Sequence, residues 1–107
     1  MHKKRSKIKR IVSNYLVELS KLGIKVQKVI LYGSYAKGKN RIDSDIDLIV
    51  VSDDFKKKNL RERLEILGIA AVRLMKPIEA YGVTSDEIKV PQTASFLEEA
   101  LSSGVVV

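Results

Sequence analysis

Two short motifs in the first half of the chain combine residues that could bind a phosphate and a metal ion. Gly33-Ser34 follows an apolar run at residues 29–32, and after ten intervening residues Asp45 and Asp47 open a second apolar run. Because side chains alternate faces along a strand, the two carboxylates are expected on one side, close enough to share a cation. Such carboxylates suit Mg²⁺, which proteins bind together with substrate phosphates. A small residue and a hydroxyl in the preceding turn can hold a phosphate on backbone N–H groups. The two motifs together predict a triphosphate-and-metal site.

Each motif alone also has an ordinary structural explanation. Gly-Ser is a common turn dipeptide, and Asp43, Asp45 and Asp47 could form a solvated entrance to a strand. A site that binds nucleotide without catalysing a reaction is a further alternative. The spacing of the two motifs between two apolar runs favours the phosphate-and-metal interpretation, which remains a hypothesis about a motif.

The run from Gly33 to Asp47 resembles the signature of the DNA polymerase β-like nucleotidyltransferase superfamily, in its minimal form (the MNT domain). The family pattern is Gly-Ser, ten residues, then Asp-x-Asp, and this sequence meets it. Ser44, directly before the acidic pair, also fits, whereas Lys37 stands where many relatives carry Arg. Both Lys and Arg are cations, so the departure is small.

This resemblance implies a role for each residue of the motif. Gly33 and Ser34 would cradle the β- and γ-phosphates, while Asp45 and Asp47 would hold Mg²⁺ against the triphosphate. Lys37 would place a point charge on the leaving pyrophosphate, and Ser44 would contribute to nucleotide binding. The transfer of a nucleoside monophosphate, with attack at the α-phosphorus, is likewise implied by the family and not by the residues alone.

Glu79 is a candidate third carboxylate. It lies between Ile78 and Ala80 in an otherwise apolar predicted strand, where an acidic side chain costs free energy unless it is paired. In the family resembled here, a carboxylate on the next core strand completes the metal site, shares a second ion and helps to activate the attacking hydroxyl. The alternatives are that Glu79 faces solvent or pairs with Lys76 or Arg73.

The closest resemblance is to stand-alone MNT antitoxins of HEPN/MNT toxin–antitoxin modules. It implies that the chain transfers AMP from ATP to a hydroxyl, expected to be a tyrosine, of a HEPN ribonuclease toxin. The segment after Glu79 is expected to be one short helical tail, which leaves the acceptor surface to a partner. A non-catalytic binding antitoxin, and a nucleotidyltransferase acting on an antibiotic or an RNA end, are the alternatives.

The pattern of apolar residues predicts the elements that position these motifs. Apolar residues recur every three or four positions in the two long helices. In the second helix they predict a buried stripe of Leu60, Leu64, Leu67, Ala71, Leu74 and Met75. Gly23 is placed to end the first helix, and Pro77 the second. The predicted elements are helices at about 6–22, 35–37, 60–75 and 95–102, a helix start at 84–87, strands at 26–32, 45–51 and 78–83, a loop from 53, and an edge strand at 105–107. We therefore expect a single α/β (α+β) domain over residues 1–107, with a small mixed sheet of three to four strands flanked by helices, as in the polymerase β-like core.

Composition narrows the class of protein. Hydrophobic residues make up 45% of the 107 residues and charged residues 31%, as in globular domains. There is no cysteine, which excludes disulfides and thiolate metal sites, and the single histidine, His2, is next to the first methionine. No apolar stretch approaches the roughly 20 residues that span a bilayer, and no signal peptide is evident. We expect a cytoplasmic protein.

The net charge of +7 is concentrated in the first ten residues and in residues 56–63. Such clusters can keep a helix face solvated, attract ATP or an acidic partner, or follow a nucleic-acid backbone. Only four Tyr and two Phe are available for base stacking, and this scarcity disfavours nucleic acid.

Overall fold

A computed structural model of the chain describes residues 2–33, 45–89 and 94–107, with side chains described for 7–33, 45–89 and 99–107. The elements, in chain order, are α1 (His2–Lys21), β1 (Lys28–Tyr32), β2 (Ile46–Val51), a short 3-10 helix (Asp53–Phe55), α2 (Leu60–Leu74), β3 (Ile78–Val83), α3 (Ser85–Lys89), α4 (Ala94–Ser103) and β4 (Val105–Val106).

The four strands form one mixed sheet in the order β3-β2-β1-β4. β1 runs antiparallel to both β2 and β4, whereas β2 and β3 are parallel and are connected through α2. A parallel pair needs such a crossover, because the chain must return to the same end of the sheet before the second strand begins. This mixed sheet with flanking helices confirms the predicted fold class.

The sheet is covered on both faces. One face packs against α1 and α2, which are also joined by a buried hydrogen bond from the Tyr15 hydroxyl to the Leu67 carbonyl at 2.8 Å. The buried residues of this face are Ile8, Val12, Tyr15, Leu19, Ile24, Val29, Leu31, Ile46, Leu48, Val50, Phe55, Leu67, Ala70 and Ala71. A smaller cluster on the opposite face contains Ile30, Ile49, Val51, Val83 and Ala100 of α4. Within the described residues, no helix is both long and apolar enough to cross a membrane.

Local signals set the boundaries of the helices. Gly23 adopts a φ of +89°, and the Ile24 N–H returns to the Leu19 carbonyl at 2.9 Å, which closes α1. At the start of α2, Asn59 and Glu62 form a reciprocal capping box. The predicted strands, the edge pairing of β4 and the last helix are confirmed to within about two residues, as expected for element boundaries.

Several expectations were wrong. α1 already begins at His2, and the loop predicted from residue 53 starts as a 3-10 helix, because the Ser52 hydroxyl accepts from the Asp54 N–H and Phe55 is buried. Leu60, Leu64 and Met75, assigned to the buried stripe of α2, are 55%, 47% and 87% exposed. The segment after β3 is not one short helical tail, because it forms α3, α4 and β4; α3 confirms the helix start predicted at 84–87. The short helix predicted at 35–37 lies outside the described residues.

Candidate functional site

Three polar side chains form a row across one end of the sheet. Asp47 of β2 lies opposite Tyr32 of β1 in the antiparallel register and opposite Glu79 of β3 in the parallel register. Residues that lie opposite each other on neighbouring strands project from the same face. The row therefore gathers two carboxylates and a phenol where β1 ends and β2 and β3 begin, on the face that also carries the α4 cluster.

The electrostatics of the row agree with this proximity. Burial, reinforced by the negative charges of Glu79 and Asp45, raises the pKa of the half-buried Asp47. Burial, together with Asp47 and Glu79, raises the pKa of Tyr32 to about 12. Carboxylates that repel one another disfavour their own ionised forms, and a bound cation would relieve that repulsion. The site is thus suited to a positively charged group.

Gly33 brings the turn after β1 into contact with this row. It adopts a φ of +73°, in the left-handed region that favours glycine. A Cβ placed on Gly33 would collide with the Asp47 side chain, its Oδ2 first. Gly33 and Asp47, one residue from each motif, therefore meet in space, and the glycine is required both by the backbone conformation and by the approach to Asp47.

The donors present fit a hard cation such as Mg²⁺, although they do not form a closed protein cage. Asp45 is exposed immediately before β2, Asp47 is half-buried and Glu79 is exposed. In the part of the chain that the structure describes, no three His, Cys, Asp or Glu side chains are grouped so as to hold a metal. Mg²⁺ retains several waters and is commonly held by one or two carboxylates plus substrate phosphates, so the carboxylates fit without such a group.

The remaining predicted residues divide into two groups. Ser34, Lys37 and Ser44 lie outside the described residues. Glu79 is exposed, and within the described ranges it forms no salt bridge with Lys76 or Arg73, so the ion pairs considered as its alternative role are absent there.

Tyr32 is the member of the row that the sequence interpretation missed. The sequence pattern indicates only that it belongs to an apolar strand. Its place directly before Gly33 means that its side chain leaves β1 at the edge of the site. The proximity of Tyr32 to Asp47 follows only from the strand register, because no local pattern indicates which residue of β2 lies opposite Tyr32.

Comparison with known proteins agrees with this geometry. Residues 9–102 match the nucleotidyltransferase domain family. Two proteins of Methanocaldococcus jannaschii are similar in sequence. "Putative protein adenylyltransferase MJ1379" is 30% identical over 96 residues, covering 90% of this chain and 93% of the relative. "Putative protein adenylyltransferase MJ0141" is 32% identical over 85 residues, covering 78% and 80%.

Two solved structures share the fold. One is described as a "putative nucleotidyltransferase from Sulfolobus solfataricus" and aligns with a TM-score of 0.64 and 16% identity, over 97% of this chain and 82% of that one. The other is a "toxin-antitoxin with AMP-PNP" and aligns with a TM-score of 0.59 and 23% identity, over 87% and 69%. With the family match extending over most of its length, this chain belongs to the nucleotidyltransferase domain family and is an enzyme of the nucleotidyltransferase type.

Proposed function

We propose that the chain, acting as one domain over residues 1–107, transfers AMP from ATP to a tyrosine hydroxyl of a HEPN ribonuclease toxin and so serves as a cytoplasmic antitoxin. The observation that carries the proposal is the contact between the Gly33 turn and Asp47, beside Glu79. The names of the two M. jannaschii relatives support protein as the acceptor. The toxin–antitoxin neighbour, described with an ATP analogue, supports both the partner class and the nucleotide.

Each residue of the site has a distinct part in this mechanism. Asp45 and Asp47 would hold one Mg²⁺ and Glu79 would share a second, and the ions would supply neutralising charge to the triphosphate and to the leaving oxygen. Gly33 and Ser34 would hold the β- and γ-phosphates through backbone N–H groups and the Ser hydroxyl.

Two further residues would complete the nucleotide site. Lys37 would offset charge on the pyrophosphate, and Ser44 would contact the nucleotide. Both assignments rest on the family pattern between the Gly-Ser and Asp-x-Asp motifs.

The transfer itself is a displacement at phosphorus. The acceptor oxygen forms a bond to the α-phosphorus, the bond from that phosphorus to the bridging oxygen breaks, and pyrophosphate leaves with the electron pair. Glu79 takes the proton of the acceptor hydroxyl and releases it to water. The oriented carboxylates contribute mainly by positioning and by charge, as is general for phosphoryl transfer.

The test is a transfer assay with the purified chain, α-³²P-ATP, Mg²⁺ and the product of the neighbouring gene. The matched control is the Asp45→Asn/Asp47→Asn variant, which keeps the side-chain volume but removes both charges. Label on the partner with the wild type only, mapped to tyrosine by mass spectrometry, is the expected result.

Other outcomes would favour the alternatives. Neutralisation of the partner that persists in the Asn variant, without label, would indicate an antitoxin that acts by binding. Label on an antibiotic or on an RNA end, in the absence of any protein partner, would indicate a different acceptor.

A further inference from the structure

The outer surface of α2 carries an apolar stripe that the core does not use. Its members recur at helical spacing along the side turned away from the sheet, and we define this outer stripe as Leu64, Gly68, Val72 and Met75. Leu64, Val72 and Met75 are 47%, 75% and 87% exposed. Exposed apolar groups are common singly, but a continuous row of them indicates an interaction surface.

Two members of the outer stripe lower the stability of the fold. Gly68 lies in the interior of α2, where glycine costs about 0.5–1 kcal/mol relative to alanine. No atom lies within 4 Å of the position that its Cβ would occupy, so internal packing does not require a glycine. What Gly68 does leave is open space at the middle of the stripe.

Met75 is the second such residue. It caps the C-terminus of α2 with a φ of 57° and a ψ of 40°, and among the described residues it is the only non-glycine with a positive φ. A left-handed conformation costs a residue with a Cβ about 1–2 kcal/mol, and glycine is the usual residue at such a cap. Its side chain is 87% exposed, and methionine adapts well to a partner surface.

The outer stripe ends near the edge of the sheet that carries the candidate site, but on the opposite side of the sheet. α2 packs on the face that α1 covers, whereas Asp47 and Glu79 project from the face that carries α4. Met75 is four residues before Glu79, so their Cα atoms are separated by at most about 14 Å. Between them, the Pro77 carbonyl accepts a hydrogen bond of 2.7 Å from the N–H of Ile46, the residue between Asp45 and Asp47. A protein held along the stripe would reach the carboxylates by extending past Met75 and around this edge of the sheet.

The charges around the outer stripe identify the chemistry of its occupant. Residues 56–76 contain seven lysines and arginines but only two glutamates. Glu62 accepts the Asn59 N–H in the capping box, and Glu65 pairs with Arg61 at 3.1 Å. Arg73 and Lys76, on either side of Met75 in the chain, are exposed, and Lys56 and Lys57 are exposed in the segment before α2. The rim is therefore basic at the Met75 end of the stripe. A second copy of this chain would bring two basic rims together, which disfavours self-association.

We propose that the outer stripe is the docking surface for the acceptor protein, which presents an apolar helix face bordered by acidic side chains. This proposal rests on the proposed function, because it names the surface by which the protein that receives AMP is held. The apolar members contribute burial, Met75 acts as an anchor, and the basic rim selects an acidic partner.

The decisive experiment measures binding and stability together. Biolayer interferometry measures the dissociation constant for the neighbouring-gene product with the wild type, Met75→Gly and the Asp45→Asn/Asp47→Asn variant. Thermal melting of each protein measures its stability. Met75→Gly is expected to weaken binding by about thirtyfold, as for an interface hot spot, while its melting temperature is unchanged or higher because the backbone strain is relieved. The Asn variant is expected to bind like the wild type.

Val17→Ser is the matched control, because Val17 is 53% exposed on α1 and does not belong to the outer stripe. It should bind like the wild type. The proposal would be overturned if Met75→Gly bound the neighbouring-gene product with full affinity, or if the wild type did not bind it. It would also be overturned if the wild type self-associated and Met75→Gly did not, because the stripe would then bind a second copy of the chain. Loss of binding in Met75→Gly without any AMP transfer by the wild type would instead contradict the proposed function and leave the docking surface standing.

Discussion

Gly33 and Gly23 both hold the left-handed backbone conformation, with φ of +73° and +89°, but their surroundings differ. A Cβ on Gly33 would collide with Asp47, whereas a Cβ on Gly23 would have no atom within 4 Å. A comparison of alanine variants at the two positions therefore separates the effect of backbone strain from the effect of displacing a functional side chain.

Gly33→Ala is expected to reduce the rate of AMP transfer at least tenfold, because the added methyl must displace the Asp47 carboxylate or the turn at Gly33. A displacement of about 1 Å in a catalytic group can lower the rate by about 10²-fold. Gly23→Ala introduces comparable strain far from the site and should retain the wild-type rate below its melting temperature. Equal rates for both alanine variants would show that the approach of Gly33 to Asp47 has no catalytic consequence.

Glu79 provides the second prediction at the residue scale. If this carboxylate takes the proton of the acceptor hydroxyl, Glu79→Gln should lower kcat by about 10²–10⁴-fold, the usual contribution of a general base, with little effect on ATP binding. Single-turnover rates and the affinity for AMP-PNP would separate the two effects. An unchanged kcat in Glu79→Gln would indicate that Glu79 is a solvated strand residue without a catalytic role.

At the scale of elements, Arg63 joins α2 to the segments on either side of it. Its guanidinium donates to the carbonyls of Phe55 at 2.8 Å, Lys58 at 2.9 Å and Gly82 at 3.2 Å, and forms a salt bridge of 2.7 Å with Glu87 of α3. The Arg63 side chain is only 12% exposed. This one residue therefore ties the 3-10 helix, β3 and α3 together, and it fixes the end of the strand that carries Glu79.

Glu87 makes this junction dependent on pH. Burial by itself raises its pKa, but hydrogen bonds from Arg63 and from the Thr84 N–H outweigh burial and hold the pKa below its ordinary value of 4.5. A lowered carboxylate pKa stabilises the fold above the unfolded-state pKa, and this contribution is lost as the pH falls through the folded-state pKa. Glu87→Gln should thus be less stable than wild type at pH 7, with the difference shrinking below about pH 4.5.

Urea unfolding at a series of pH values measures this difference. Glu65→Gln, which removes a carboxylate from an exposed pair with Arg61, is the control and should change stability little, since exposed pairs contribute weakly. A constant difference between wild type and Glu87→Gln from pH 7 to pH 3 would contradict the assignment.

At the scale of the whole molecule, the dominant property is a net charge of +7 with an isoelectric point near 9.7. Charges on one surface act together over about a Debye length, roughly 10 Å at 0.1 M salt. A basic domain of this kind attracts anionic ligands and acidic proteins before any contact is made.

The rate constant for association with the acceptor protein should therefore fall steeply as salt rises from about 50 to about 500 mM. Lys56→Gln/Lys57→Gln, two exposed changes near the start of α2, should bind more slowly at low salt and show a weaker salt dependence. Stopped-flow measurements test both. A rate independent of salt would mean that these lysines serve only to keep the helix surface solvated.

Most of the elements were predictable from the sequence because their signals are local. The apolar periodicity of α1, the stop at Gly23 and the apolar runs around the Gly-Ser and Asp-x-Asp motifs depend on residues a few positions apart. In α2, apolar periodicity of the same kind predicts that Leu60, Leu64 and Met75 are buried, but their side chains are exposed. An apolar pattern identifies a helix face that can be buried, but whether another element covers it depends on the packing of the whole chain.

The sequence by itself determined the motif, the charge and the order of helices and strands, since these follow from residue types and short-range backbone preferences. Only the tertiary structure decided that Glu79 and Tyr32 flank Asp47, that Gly33 contacts it, and that the outer stripe of α2 remains exposed. The physical reason is that strand register and helix packing are long-range choices. They are made by many weak contacts between residues distant in the chain, and no local pattern specifies them.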